Sequence, residues 1–187
     1  DASWSRGLGD VYKRQSHHYS REIDKESFNN LYIDALLEEL DGNKNLFLSY
    51  EIKSFKRKSS NYKKNRENFD INLAYEILNT YFNRVIEISE YQIKLAKKDS
   101  FDLSIDEGID IFYDDNEYAS TMLELKERWR KTTKNDFIVS VLAKDDEDEI
   151  ISNLTSRYER RIKRVLQRKD EDIFLLAINI MTRQFDP

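Results

Sequence analysis

The sequence predicts an all-α fold, an irregular bundle of about five to seven helices, and three observations support that prediction. Apolar residues recur at spacings of three and four along most of the 187 residues. Only four glycines and one proline are present, too few for the many turns of a β-sandwich or barrel. The chain also lacks cysteine, but its length suffices to bury a core without disulfides or a structural metal.

The N-terminal segment differs from the rest of the chain. Residues 1–15 lack the period of a helix or a strand and resemble adapter sequence fused to a reading frame. We therefore expect residues 1–22 to be an extraneous or disordered leader and residues 23–187 to form one helical domain. His17 and His18 lie in this leader without a third ligand nearby, and two adjacent histidines alone do not predict a metal site.

Helical periodicity begins just after the leader. Asp24 is a good N-cap, and the first helix is expected to end at Asp41, because Gly42 and Asn43 tolerate the left-handed backbone of helix ends and turns. A short helix is expected at residues 49–55. The apolar stripe of the first helix consists of Phe28, Leu31, Tyr32, Ala35, Leu36 and Leu40.

A basic run occupies residues 53–66, with seven Lys or Arg and no acid, and it is expected to be an exposed loop or helix end. The longest helix is expected at residues 70–98, as a rod about 40 Å long. Residues 101–105 alternate apolar and polar side chains, which allows a short extended piece, and residues 108–116 lose all periodicity.

Further helices are expected in the second half. Residues 118–142 have a helical period, with an interruption allowed at the β-branched pair 132–133. The next helix follows the acids at 145–149 and ends in arginines, the charge order that the helix dipole prefers. The last, at 173–184, is apolar nearly all round, so it should be central or covered by a neighbour. Four aromatic residues are expected in the core: Tyr81, Phe82, Trp129 and Tyr158.

Charge and composition exclude several functional classes. The formal net charge is −5, from 31 basic and 36 acidic residues that are mostly interleaved, as on solvated helix faces. The glycines do not cluster as a nucleotide-binding loop requires. No stretch approaches the roughly 20 apolar residues of a membrane span.

Partial matches to known motifs do not define a catalytic site. The segment SNYK at 60–63 has the S-x-x-K spacing of serine acyl enzymes, but it lies among exposed charges without the accompanying motifs. The acidic runs at 114–117 and 145–149 lack the glycine turn and distal glutamate of a calcium loop. The basic run at 53–66 could contact nucleic acid or an acidic protein, and a stand-alone helical binding module of that kind is the alternative function.

Several segments together resemble one known family. In the second half they are LKERWRK at 125–131, KNDF at 134–137, LTSRYERR at 154–161, DIF at 172–174 and MTRQFDP at 181–187. In the first half they are LD at 40–41, NKNLFL at 43–48 and FDL at 101–103. By order and spacing, residues 28–187 resemble the N-terminal helical domain of tail-specific proteases, the C-terminal-processing serine peptidases. Gly42 stands where the family has a proline, and the basic run has no clear counterpart.

The resemblance implies a periplasmic parent protein that cuts substrates near their C-termini with a Ser and Lys pair. Those residues, and the PDZ domain that precedes them, would lie beyond Pro187, so this chain is expected to hold no catalytic residue, cofactor or metal. It would be a non-catalytic scaffold whose partners are the PDZ and peptidase domains, an adaptor and protein substrates, with no nucleic acid. The motif residues expected to serve structure or an interface are Trp129, Asn135, Asp136, Arg157, Tyr158, Arg183, Asp186 and Pro187.

Overall fold

Helices account for all the regular secondary structure that can be described. The computed structural model describes residues 25–62, 71–97, 101–105, 107–108, 117–143 and 146–183. Within these ranges the all-α prediction and the expected number of helices are confirmed. The helices are α1 (Lys25–Asp41), α2 (Ser49–Tyr62), α3 (Ile71–Lys97), α4 (Met122–Leu142), α5 (Glu147–Leu166) and α6 (Asp170–Thr182).

The long helix α3 organises the bundle. Its 27 residues correspond to a rod of about 40 Å, as the sequence predicts. Its most extensive contact is with α5, and it also packs against α4, α6, α1 and α2. The rod therefore packs against both C-terminal helices, α5 and α6.

The largest apolar core joins the first helices to the last one. The hydroxyl of Tyr32 on α1 donates a hydrogen bond to the carbonyl oxygen of Ala177 on α6, at 3.2 Å. Burial raises the pKa of the Tyr32 phenol well above its usual range. The side chains that surround this contact are fully or nearly fully buried: Leu36, Phe47, Phe55, Ile77, Leu78, Ile173 and Ile180.

Two smaller apolar clusters lie along the rest of α3. One joins α3, α4 and α5 through Phe137, Leu154 and Tyr158. The other surrounds Trp129 on α4, near a single parallel bridge in which the Ser49 N–H donates to the Ala119 carbonyl at 2.9 Å. Three of the four aromatic residues expected in the core are buried, and Tyr81 is partly buried.

The turn after α1 ends the helix where the sequence predicts, but by a different device. The left-handed residue is Lys44, with φ 54°, and no described glycine has a positive φ. The carboxylate of Asp41 instead organises the turn, because it accepts hydrogen bonds from the backbone N–H groups of Asn45, Leu46 and Phe47 at 2.7 to 2.9 Å. A Cβ at position 42 would lie 3.0 Å from the carbonyl oxygen of Glu38, so a larger residue there would require a shift of a few tenths of an ångström.

Helix α2 is longer than the expected 49–55. Of the two possibilities for the basic run, an exposed loop or a helix end, residues 53–62 form the helix end; residues 63–66 lie outside the described ranges. The extra turns of α2 are held by a small buried residue that the apolar pattern does not reveal. Ser59 is 2% exposed and its hydroxyl donates to Asn30 Oδ1 on α1 at 3.1 Å. Lys56 and Lys58 form ion pairs with Asp34 and Glu76 on the flanking helices.

The structure decides two local points that the sequence leaves open. Helix α4 continues through Thr132 and Thr133, and their hydroxyls donate to the carbonyl oxygens four residues earlier, at 2.9 and 2.7 Å. Residues 101–105 form a turn rather than an extended piece, in which Asp102 accepts from the Ser104 backbone and hydroxyl. Leu31, which the sequence assigns to the apolar stripe of the first helix, is exposed, as are Val141 on α4 and Leu166 on α5.

Candidate functional site

Three predicted motif residues form one polar cluster between α4 and α5. The hydroxyl of Tyr158 donates to Asp136 Oδ2 at 2.9 Å, and Arg157 forms an ion pair with the same oxygen. Arg157 also donates to the Tyr158 hydroxyl at 3.2 Å, and its guanidinium lies 5.1 Å from the centre of the Tyr158 ring. The cluster ties two helices together and contains no nucleophile paired with a base.

Burial and charge shift the acidity of this cluster. Burial is the largest cause that raises the pKa of the Tyr158 phenol to about 12, and the nearby Asp136 carboxylate raises it further. For Arg157, burial is the largest single effect and lowers the pKa. Contacts with the Tyr158 hydroxyl and with Asp136 outweigh that effect, so the pKa of Arg157 is raised. The arginine therefore stays a cation and the phenol stays neutral at ordinary pH.

Trp129 anchors the turn after α1 to helix α4. Its side chain is buried, and the indole N–H donates to the carbonyl oxygen of Asn45 at 2.7 Å. The neighbouring Arg128 donates to the carbonyl oxygens of Lys44 and Glu117 at 3.1 and 2.9 Å. Burial raises the pKa of the Asp41 carboxyl, which holds this turn, to about 6, although three backbone N–H donors and Arg128 lower it.

The remaining motif residues lie apart from these two clusters. Asn135 is exposed on α4, and Arg183 is 3.4 Å from Glu39 Oε1, across the contact between the end of α6 and α1. Asp186 and Pro187 lie outside the described residues. The structure thus brings Asp136, Arg157 and Tyr158 together, and their assignment to structure or an interface stays a prediction for the set as a whole.

Helix α6 is apolar on both sides but buried on only one. Ile173, Ala177 and Ile180 enter the main core, whereas Phe174 and Leu175 are 44% and 55% exposed. The expectation that this helix is covered by a neighbour therefore holds for one face within the described residues. The outer face of α6, defined by Phe174 and Leu175, is an exposed apolar surface.

A half-open groove of about 320 Å³ lies between α3 and α5. Its apolar part is formed mainly by α3, together with Leu46 from the turn and Val165 from α5. Its charged part is formed by arginines at the end of α5. We call this the arginine groove, and its lining residues are Leu46, Tyr81, Phe82, Val85, Ile88, Arg161, Arg164, Val165 and Arg168.

The segments considered for catalysis or metal binding make no such site among the described residues. The Ser60 hydroxyl is exposed on α2 and donates to the carbonyl oxygen of Lys56 at 3.0 Å. Lys63, His17, His18 and residues 114–116 lie outside the described ranges. Across the described parts of the chain, no group of three His, Cys, Asp or Glu side chains is placed to hold a metal ion.

Comparison with known proteins identifies the family. A family model described as the tail specific protease N-terminal domain matches residues 11–187. The chain therefore belongs to the tail-specific protease N-terminal domain family. A curated tail-specific protease from Haemophilus influenzae (strain ATCC 51907 / DSM 11121 / KW20 / Rd) is 28% identical to the chain over 174 residues. That similarity covers 92% of this chain but 25% of the relative, so the chain spans about a quarter of its relative's length.

The family match confirms the resemblance that the motifs indicate. It begins at residue 11, within the segment 1–22 that the sequence predicts to be extraneous. None of the helices in the described ranges has the length and apolar character needed to cross a bilayer.

Sequence reasoning missed a set of buried charges in this tail-specific protease N-terminal domain. Arg84 on α3 is buried and pairs with Glu51 at 2.7 Å and Glu87 at 3.2 Å. Lys134 on α4 is also buried, and it donates to the carbonyl oxygen of Ile105 at 2.9 Å and lies 3.4 Å from Glu107. Nothing in the sequence distinguishes these cations from their solvated neighbours, because their partners other than Glu87 are distant along the chain.

Proposed function

We propose that this chain is a non-catalytic scaffold domain of a periplasmic tail-specific serine protease, in which residues 23–187 support the PDZ and peptidase domains of the same parent protein. The observation that carries the proposal is the match of residues 11–187 to the N-terminal domain family, together with the 25% of the relative that the chain covers. The other three quarters of such a protein are long enough to contain the residues that cut peptides. The present chain therefore does not need to supply them.

The construction of the bundle supports a scaffold role. Its helices are joined by long-range polar contacts as well as by apolar cores, including the Asp136 cluster between α4 and α5 and the Trp129 contact with the turn after α1. Hydrogen-bonded polar contacts between helices restrict how the helices can be arranged relative to one another. A domain so constrained can hold its outer surfaces in a fixed geometry for neighbouring domains, an adaptor or a substrate protein.

The outer face of α6 is the surface we assign to the rest of the parent protein. Phe174 and Leu175 are large apolar side chains, 44% and 55% exposed, on the last described helix. Contiguous exposed apolar surface is typical of interaction sites rather than of free protein surface. Covering it would stabilise the parent by about 25 cal/mol for each Å² of apolar area removed from water.

Thiol labelling tests this assignment, because the chain has no cysteine of its own. Leu175→Cys and Val139→Cys place a thiol at two positions of similar exposure, 55% on α6 and 58% on α4. In the 187-residue chain both thiols should react with a maleimide at similar rates. In the full-length parent, the thiol at position 175 should react at least about tenfold more slowly.

The reference position makes the result interpretable, and mass spectrometry identifies the labelled site. Equal labelling rates at position 175 in the chain and in the parent would refute docking through α6. The non-catalytic part of the proposal has its own test, in which the 187-residue chain is incubated with a peptide that the parent cleaves. Cleavage that disappears when a side chain of this domain is substituted would show that the domain contributes catalytic residues.

The alternative function, a binding module that uses the basic run, finds less support. Two of the cations on α2, Lys56 and Lys58, are already paired with Asp34 and Glu76. Charges neutralised within the protein release fewer counterions on binding a polyanion, so they contribute less to its affinity.

A further inference from the structure

The arginine groove holds positive charge that the described protein does not neutralise. Among the described residues, Arg161, Arg164 and Arg168 have no carboxylate within 4.0 Å. Arg161 donates to the neutral amide oxygen of Gln92 at 3.0 Å, and the guanidinium of Arg168 lies 4.6 Å from the ring centre of Phe82. Of the seven other arginines in the described chain, five are paired with carboxylates: Arg84, Arg128, Arg130, Arg157 and Arg183.

Arg161 is the most enclosed of the three cations. It is partly buried against Tyr158, 5.4 Å from the ring centre, and burial lowers the pKa of its guanidinium. Arg164 and Arg168 are exposed at the open side of the groove. A partly desolvated cation beside two solvated ones favours an anion that enters from solvent, because the anion recovers the electrostatic stabilisation that burial removes.

The spacing of the arginines indicates a ligand with more than one negative group. At 1.5 Å of rise per residue, Arg161 and Arg164 are about 4.5 Å apart along the helix axis and Arg164 and Arg168 about 6 Å. Carboxylates on alternate residues of an extended peptide are about 7 Å apart, a separation that neighbouring guanidinium groups on long side chains can match. The apolar part of the groove, including Val85 and Ile88, lies between α5 and the body of α3 and can receive one apolar side chain.

We propose that the arginine groove binds an acidic segment of a partner protein, in which Asp or Glu carboxylates flank an apolar side chain. A nucleic acid fits less well, because its bases need free aromatic faces for stacking. Phe82 is buried, and Arg168 lies over its ring. The chain also has a net charge of −5, which repels an extended polyanion beyond the groove. The proposal does not depend on the docking of α6 and can be tested on the chain itself.

The probe is a six-residue peptide of alternating Glu and Leu, acetylated and amidated so that only its side chains carry charge. Its affinity for the 187-residue chain is measured by calorimetry, beside that of a Gln and Leu peptide of the same length. We expect the double variant Arg164→Gln, Arg168→Gln to bind the Glu peptide about tenfold more weakly. The matched control Arg160→Gln alters an exposed arginine on the same helix that does not line the groove, and it should stay within about twofold.

Three further measurements separate the proposal from a general charge effect. The Gln peptide should bind about tenfold more weakly than the Glu peptide. Raising the salt concentration should weaken the binding of the Glu peptide and leave that of the Gln peptide unchanged. Replacing Arg164 and Arg168 by Lys should retain part of the affinity for the Glu peptide, because the charge remains but the bidentate geometry is lost. Thermal melts verify that the variants fold. Folding should be preserved, because the side chains of Arg164 and Arg168 are exposed.

Four results would overturn the proposal. The first is that the Glu peptide does not bind detectably, and the second is that the double variant and Arg160→Gln lose the same affinity for it. The third is that the Glu and Gln peptides bind with equal affinity. The fourth is that a ten-nucleotide oligothymidine binds more tightly than the Glu peptide and needs Arg164 and Arg168 to do so. The last result would assign the groove to nucleic acid instead.

Discussion

The hydroxyl of Tyr158 offers a sharp test of how α4 and α5 are held together. Tyr158→Phe removes one hydrogen bond to a carboxylate, that of Asp136, while leaving the buried ring in place. Asp136 keeps its ion pair with Arg157, so no buried charge is left without a partner. The expected cost is therefore the net value of one hydrogen bond to a charged group, about 1.5 to 3 kcal/mol of unfolding free energy at pH 8.

The same substitution should change the pH dependence in a predictable direction. The phenol pKa is about 12 in the folded chain and about 10 when unfolded. A raised folded pKa contributes stability that is fully present below pH 10 and is lost as the pH rises through 12. With these two values, the wild-type chain loses about 1.4 kcal/mol from this group between pH 8 and pH 11, and the Phe variant loses nothing from it.

Urea unfolding at pH 8 and pH 11 measures both effects. Taking the difference in unfolding free energy between wild type and variant removes the contribution of the other tyrosines. This difference should be smaller by about 1.4 kcal/mol at pH 11 than at pH 8. Tyr50→Phe, at a position that is 61% exposed, is the control and should cost less than about 0.5 kcal/mol. A gap between wild type and Tyr158→Phe that stays constant or widens with pH would refute the assigned burial and hydrogen bonding of the phenol.

The remaining predictions concern the turn after α1 and the core. Because burial raises the pKa of Asp41 to about 6, its stabilising contribution is lost as the pH rises from about 4 to 6. Wild-type stability relative to Asp41→Asn should therefore fall by about 2 kcal/mol between pH 4 and pH 7 in urea titrations, and an increase would mean that the N–H donors outweigh burial. Trp129→Phe should cost about 2 to 3 kcal/mol and speed amide exchange in the turn, since the Asn45 carbonyl loses its donor. Ile77→Ala, in the fully buried core, should cost about 2 to 5 kcal/mol by thermal or urea unfolding, whereas Leu123→Ala, which is 80% exposed, should cost under about 0.5.

Helical periodicity predicted the fold well where a helix buries one clear apolar stripe. The long helix was expected at residues 70–98 and spans 71–97, because nearly every third or fourth residue on its inner side is apolar. The length of helix α2 is underestimated from the sequence, because its last turns carry no such apolar stripe. Its last turns are held by Ser59 and by ion pairs to other helices, contacts that carry no periodic signal along α2 itself.

The candidate surfaces were harder to predict than the helices. An apolar helix such as α6 looks the same in sequence whether a neighbour covers one face or both. The arginine groove combines aromatic residues of α3 with charges that come much later in the chain, on α5. Tyr81 and Arg161, for example, are eighty positions apart. The sequence explains the arginines as a favourable charge at the end of a helix, and only the packing of α5 on α3 places them beside an apolar floor.

The position of α6 links the exposed surface to the stability of the whole bundle. Among the described helices, α6 packs only against α1 and α3, and the Tyr32 hydroxyl joins its Ala177 carbonyl to the main core. A helix held by one apolar face opens at a lower free energy than one surrounded by partners, so amides of α6 should exchange faster than those of α3 in the isolated chain. A domain seated on Phe174 and Leu175 would raise that opening energy, and because α6 completes the core around Tyr32, it would also stabilise α1. Exchange of α6 as slow as that of α3 in the chain alone would mean that the bundle needs no such cover.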